Sequence, residues 1–117
     1  MSTRPSILII DDDPLLCELL ALHLSFAGYE NVRVAEDAVA GGRMMLESPP
    51  DLLLTDIIMP YLDGLQLLEA MRGDDTTRNI PVIIISIRTD DEAHQKARQF
   101  GACAYLQKPL DAAELVA

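Results

Sequence analysis

The chain has 117 residues, half of them apolar, which suits one domain with a core of its own. Its formal charge of -10, from 19 acidic against 9 basic residues, argues against binding to nucleic acid or to an anionic membrane, since both need clustered Lys and Arg. The early apolar run Ile7–Ile10 meets three aspartates at once and is too short for a signal peptide or a membrane span. Cys17 and Cys103 lack metal-ligand spacing and fit a reduced, cytoplasmic setting as ordinary small residues.

Short apolar runs then alternate with helical patterns. Ile7–Ile10 reads as a strand buried on both faces, because its apolar run is continuous rather than alternating. Asp13 and Pro14 suit the N-cap and first position of a helix, over which Leu15, Leu16, Leu19, Leu20, Leu22 and Leu24 supply a wide apolar face until Gly28 stops it. A weaker strand follows over 31–35. Asp37 caps a helix that runs to about Glu47, where Ser48-Pro49-Pro50 ends it.

Leu52–Thr55 reads as the third strand, 64–72 as a short helix with Leu65, Leu68 and Met71 inward, and 73–79 as a polar loop. Pro81 opens the fourth strand, Val82–Ser86. Asp90 or Asp91 starts a helix that ends at Phe100-Gly101, Ala104–Gln107 forms a fifth strand, and Asp111 caps a last helix. That helix holds about seven residues, short by the usual length, so it is either frayed or continued in a longer natural chain.

Five strands and five helices in strict alternation predict an α/β fold: a doubly wound, five-stranded parallel sheet with right-handed crossovers and helices on both faces. No linker or repeat divides the chain, so a single domain over 1–117 is expected. In such sheets ligands bind at the carboxyl ends of the strands. Asp11, Asp12 and Asp13 follow the first strand, Asp56 the third, Ser86 ends the fourth and Lys108 follows the fifth. Carboxylates gathered in one crevice repel unless a cation neutralises them, and oxygen-only ligands suit Mg²⁺. Helix capping accounts for Asp13 but not for Asp11, Asp12 and Asp56 together.

The pieces Ile9-Ile10-Asp11-Asp12-Asp13, Leu54-Thr55-Asp56-Ile57-Ile58-Met59-Pro60-Tyr61-Leu62-Asp63-Gly64, Pro81-Val82-Ile83-Ile84-Ile85-Ser86, Gly101-Ala102 and Tyr105-Leu106-Gln107-Lys108-Pro109 occur in order along nearly the whole chain. Together they resemble a receiver domain of the response-regulator family, in two-component signalling. The resemblance implies a flavodoxin-like sheet of order 2-1-3-4-5 and a phosphoacceptor, not an enzyme with turnover. Asp56 stands where the family takes a phosphoryl group from a sensor histidine kinase or phosphotransfer protein, and a switch then controls a downstream effector domain or protein. Asp12 and Asp56 by side chain and Ile58 by backbone carbonyl would ligate Mg²⁺ (or Mn²⁺), with Asp11 acting through water. Ser86 takes the switch hydroxyl's place, Lys108 that of the family's lysine, and Tyr105 that of the switch aromatic, which would turn from exposed to buried. The Lys108–Pro109 peptide would be cis.

The chemistry agrees: a carboxylate can attack phosphorus to form an acyl phosphate, and cations stabilise the spread negative charge. Asp56→Asn should keep the fold, and the loss of one charge favours stability. Ile87 departs from the family pattern, where a small residue usually follows the switch hydroxyl; its β-branched side chain narrows the entrance to the acceptor. Ile58 and Arg88 lie where neighbouring side chains border the path of a hydrolytic water. Neither can position one, and Arg88 is long enough to cover the phosphoryl group, so slow self-dephosphorylation is expected. His23 and His94 read as surface or boundary residues. Two rivals stand beside this reading. Asp11 and Asp13 have the spacing of haloacid-dehalogenase-type hydrolases, but Pro14 stands where a Thr is expected and no cap domain fits. A receiver fold used as a phosphate-independent binding module is the other.

Overall fold

Ile7–Ile10 forms β1, and all four of its side chains are buried because both faces of the strand are covered. The computed structural model describes residues 5–59, 62–88 and 90–108. In chain order the other elements are α1 (Pro14–Phe26), β2 (Val32–Ala35), α2 (Ala38–Glu47), β3 (Leu52–Thr55), α3 (Gly64–Arg72), β4 (Val82–Ser86), α4 (Asp91–Gln99) and β5 (Ala104–Gln107). The expected last helix and the Lys108–Pro109 peptide lie outside the described residues. Every strand pair is parallel and the order is β2-β1-β3-β4-β5, the α/β arrangement expected from the sequence.

Successive residues of a strand point to opposite faces. Ile7 and Ile9 therefore pack with Cys17, Leu20 and Leu24 of α1, while Leu8 and Ile10 pack with Ala38 and Met45 of α2, Leu65 and Leu68 of α3, and Ala93 and Ala97 of α4. A fully buried leucine such as Leu68 is worth roughly 1.5–3 kcal/mol of burial free energy.

The ends of the helices follow the side chains expected to cap them. Asp13 accepts from the N–H groups of Leu15 and Leu16, Asp37 from Ala40, and Asp90 from Ala93. A cap that the sequence reading did not name starts α3, where Asp63 and Gln66 form a reciprocal capping box. Gly28 takes a positive φ of 97° just beyond α1, a conformation that favours glycine.

The wide apolar face expected on α1 is corrected. Only Leu20 and Leu24 of its leucines are buried, with Cys17; Leu15, Leu19 and Leu22 are exposed, as is Phe26. A helix laid on a flat sheet buries one narrow stripe, and Cys17 fills it beside the first strand, so the neighbouring leucines face outward. The second strand also begins one residue later than expected, at Val32.

Candidate functional site

The parallel register sets the site. Ile10 pairs with Thr55 across β1 and β3, so the next residues, Asp11 and Asp56, emerge side by side. The ladder reaches one residue past each strand: Asp11 N–H donates to the Ala35 carbonyl at 3.1 Å, Asp56 N–H to Ile10 at 3.1 Å, and Lys108 N–H to Ser86 at 3.0 Å. Four strand ends thus present Asp11, Asp56, Ser86 and Lys108 on one rim, where an open α/β sheet binds its ligands.

Asp11 and Asp56 are buried, and Lys108 joins them. Its ammonium donates to Asp56 Oδ2 at 2.7 Å and to Asp11 Oδ2 at 2.9 Å. The other Asp56 oxygen, Oδ1, accepts from the backbone N–H of Ile57 at 2.6 Å and of Ile58 at 3.3 Å. Asp12 is exposed at the mouth, and carboxylate oxygens of Asp11, Asp12 and Asp56 lie within 4.8 Å of one another, a group able to hold a metal ion. An all-oxygen set of this charge fits a hard divalent cation.

Burial raises the Asp11 carboxyl above its ordinary range, and the Lys108 hydrogen bond only partly offsets this. Burial acts on Lys108 in the opposite sense, yet its hydrogen bonds to Asp56 and Asp11 prevail, and its pKa stands above the ordinary lysine value. The nearby Cys17 thiol is pushed up to about 11, first by burial and then by Asp11, so it is no nucleophile.

Close packing against the Asp56 backbone leaves no room for a side chain at the start of α3. A Cβ on Gly64 would collide with the Asp56 backbone carbonyl oxygen and lie 2.9 Å from its carbon. Gly64→Ala is therefore expected to cost roughly 1–3 kcal/mol in chemical unfolding, the range of an overpacked core. An unchanged unfolding midpoint would show that the loop yields freely.

The two residues expected to act as a switch, Ser86 and Tyr105, are also joined. Ser86 is fully buried and its Oγ accepts the Arg88 N–H at 3.1 Å. Tyr105 is half-buried, and its hydroxyl donates to the Arg88 carbonyl at 2.7 Å. Burial raises its phenol, against a smaller opposing effect of the Ser86 hydroxyl. Sequence reasoning missed a partner: the His94 ring stacks on Tyr105, centroids 3.8 Å apart at 26°. Nothing in the helical pattern around His94 marks this, because β5 supplies the other ring.

Arg88 behaves differently from the expectation. Its guanidinium forks onto Asp90, Nε to Oδ1 at 3.0 Å and Nη2 to Oδ2 at 2.9 Å, instead of reaching over Asp56. A carboxylate two residues away meets the planar fork at little entropic cost. The guanidinium holds the Asp90 carboxyl down at about 2. Ile58 and Ile87 are exposed just beyond the ends of β3 and β4.

The family model of the response regulator receiver domain matches residues 7–117. The chain is 38% identical to the response regulator MprA of Mycobacterium tuberculosis over 100% of this chain and 49% of that protein. It is 35% identical to the DNA-binding dual master transcriptional regulator RpaA of Synechocystis over 97% of this chain and 46% of that one. The chain thus spans about half the length of these curated relatives. A response regulator receiver domain protein from Methanospirillum hungatei superposes with a TM-score of 0.90 at 29% identity, covering 97% of this chain and 89% of that one. A response regulator receiver protein from Pseudomonas putida gives 0.89 at 28%, covering 99% and 95%. Sequence, sheet order and rim agree, and the chain belongs to the response regulator receiver family, homologous to two-component response regulators.

Proposed function

We propose that Asp56 accepts a phosphoryl group from a histidine kinase or phosphotransfer protein and that the domain signals the change to a downstream effector domain or protein. One observation carries this reading: two buried carboxylates from adjacent strand ends, Asp11 and Asp56, share the single ammonium of Lys108. The arrangement gives a nucleophile, a cation beside it, and further oxygens for a metal.

Asp12 and Asp56, with the Ile58 backbone carbonyl, would hold Mg²⁺ (or Mn²⁺), and Asp11 would act through water. When bound, that ion supplies positive charge against the phosphoryl oxygens. The chain's own residues do the rest. As an Asp56 oxygen bonds to phosphorus, the donor's P–N bond breaks and its electron pair returns to the imidazole nitrogen, which takes a proton from solvent. Lys108, already on Oδ2, neutralises charge on the transferring group, and Ser86 offers its hydroxyl to a phosphoryl oxygen.

In this reading residues 1–117 make one cytoplasmic receiver domain that is a signalling acceptor and not a turnover enzyme. Among the described residues no helix is long and apolar enough to cross a membrane. The charge of -10 disfavours direct contact with nucleic acid. Incubation with acetyl phosphate and Mg²⁺ should add the mass of one phosphoryl group; no added mass would favour a phosphate-independent binding module.

Slow self-dephosphorylation is also proposed, now on different ground. Arg88 is engaged by Asp90, so the aliphatic side chains Ile58 and Ile87 are what border the acceptor, and neither can orient water. The double variant Ile58→Asn with Ile87→Glu should lose its phosphoryl group severalfold faster than the parent, followed by phosphoprotein decay. Equal decay rates would show that these positions do not gate the water.

A further inference from the structure

We infer that His94 is a positioning residue of the switch: by stacking on Tyr105 it holds that ring in its seated position and so strengthens the hold of the acceptor site on a phosphoryl group. The inference rests on the reading of Asp56 as acceptor and concerns a contact outside the acidic pocket.

The contacts form a closed circuit. Ser86 Oγ accepts the Arg88 N–H, the Arg88 carbonyl accepts the Tyr105 hydroxyl, and the Tyr105 ring lies on His94. The His94 N–H donates to the Asp90 carbonyl, and the Asp90 carboxylate takes the Arg88 guanidinium. The end of β4, the middle of β5 and the first turn of α4 are thereby tied to one residue, Arg88.

α4 needs such a tie. It buries only two side chains, Ala93 and Ala97, the smallest apolar residues with a side chain to bury. Its C-terminal end is fixed separately, since Arg72 donates to the carbonyls of Phe100 at 2.8 Å and Gly101 at 3.2 Å. At the N-terminal end the Asp90–Arg88 pair is exposed, and an exposed pair holds weakly. Beside the small Ala93 side chain, the His94–Tyr105 stack is the contact that joins this end of α4 to β5.

The direction of the effect follows from what survives when Ser86 turns its hydroxyl toward a phosphoryl oxygen. Tyr105 then keeps two anchors, the Arg88 carbonyl and the face of His94. The first is a backbone atom that any sequence supplies; the second depends on this side chain. Whatever stabilises the seated ring also stabilises the phosphoryl-bound site, and by linkage the same factor appears in ligand affinity. An aromatic pair of this kind supports a factor of roughly two to ten.

The test uses the whole chain with Mg²⁺ and beryllofluoride, an acyl-phosphate mimic. His94→Ala should weaken beryllofluoride binding roughly two- to tenfold, while His94→Phe, which keeps a ring to stack, stays near the parent. In a Tyr105→Ala background, His94→Ala should have no further effect. Tyr105 ring resonances should show a shifted, more averaged ring in His94→Ala with or without the mimic. Alanine favours α4, so the variant folds; far-ultraviolet circular dichroism confirms it. Equal affinity with unchanged ring signals overturns the inference, as does tighter binding in His94→Ala. Failure of the parent itself to bind beryllofluoride would instead sink the acceptor reading, and the ring signals would still judge the stack.

Discussion

Asp56→Asn is expected to abolish phosphoryl acceptance outright while leaving the fold intact. The amide has the carboxylate's shape, so its oxygen can still take the Ile57 and Ile58 N–H groups that orient the side chain. It lacks the negative charge that makes a nucleophile. Two electrostatic changes oppose each other in stability. Repulsion among Asp11, Asp12 and residue 56 falls, but Lys108 loses one of its two partners and keeps only Asp11. The unfolding free energy should therefore stay within about 1 kcal/mol of the parent. Mass spectrometry after acetyl phosphate treatment decides the chemistry and urea unfolding the stability. Retained uptake in the variant would mean that another aspartate carries the group.

Lys108→Met should damage both stability and transfer. Methionine keeps the apolar length of the stem but leaves Asp11 and Asp56, both buried, facing each other without a cation. Breaking such a pair from one side costs about 2–4 kcal/mol in metal-free buffer. Millimolar Mg²⁺ should restore part of that loss, because a divalent cation can take over the neutralising role. Transfer from acetyl phosphate should still be slowed strongly, since in the proposed reaction the ammonium would meet the phosphoryl oxygens from another side.

The variant also has a pH signature. The Lys108 pKa is raised in the folded chain above its ordinary 10.5. A lysine so raised contributes its full stabilisation below the unfolded pKa and loses it as pH climbs through the folded value. The parent should therefore lose stability above about pH 10.5, and the loss should be smaller in Lys108→Met. If unfolding curves of parent and variant coincide in chelator and at alkaline pH, the shared ammonium is not what holds the two carboxylates.

The elements were legible in the chain because each carries its own local chemistry. Asp13, Asp37 and Asp90 cap their helices through contacts two or three residues away, and residues 7–10, 52–54 and 82–85 are unbroken apolar runs. Strict alternation then forces a parallel sheet, and its strand ends point to Asp11, Asp56, Ser86 and Lys108 before any distance is known. Those residues do meet on one rim.

Tertiary structure decided what depends on neighbours far along the chain. The leucines of α1 share one periodic pattern, and only docking on the sheet selects Leu20 and Leu24 with Cys17 over Leu15, Leu19 and Leu22. Arg88 is a local exception: it has the length to reach over Asp56, but the capping carboxylate of Asp90, only two residues on, takes its guanidinium. His94 and Tyr105 belong to different elements and are brought face to face by the path of α4 back to the sheet edge. Sequence by itself determined which residues are strands, caps and strand-end acids, because those preferences act within a few residues. The exposed α1 stripe and the stacking of His94 on Tyr105 are outcomes of long-range packing, where several side chains compete for one contact and only the assembled geometry selects between them.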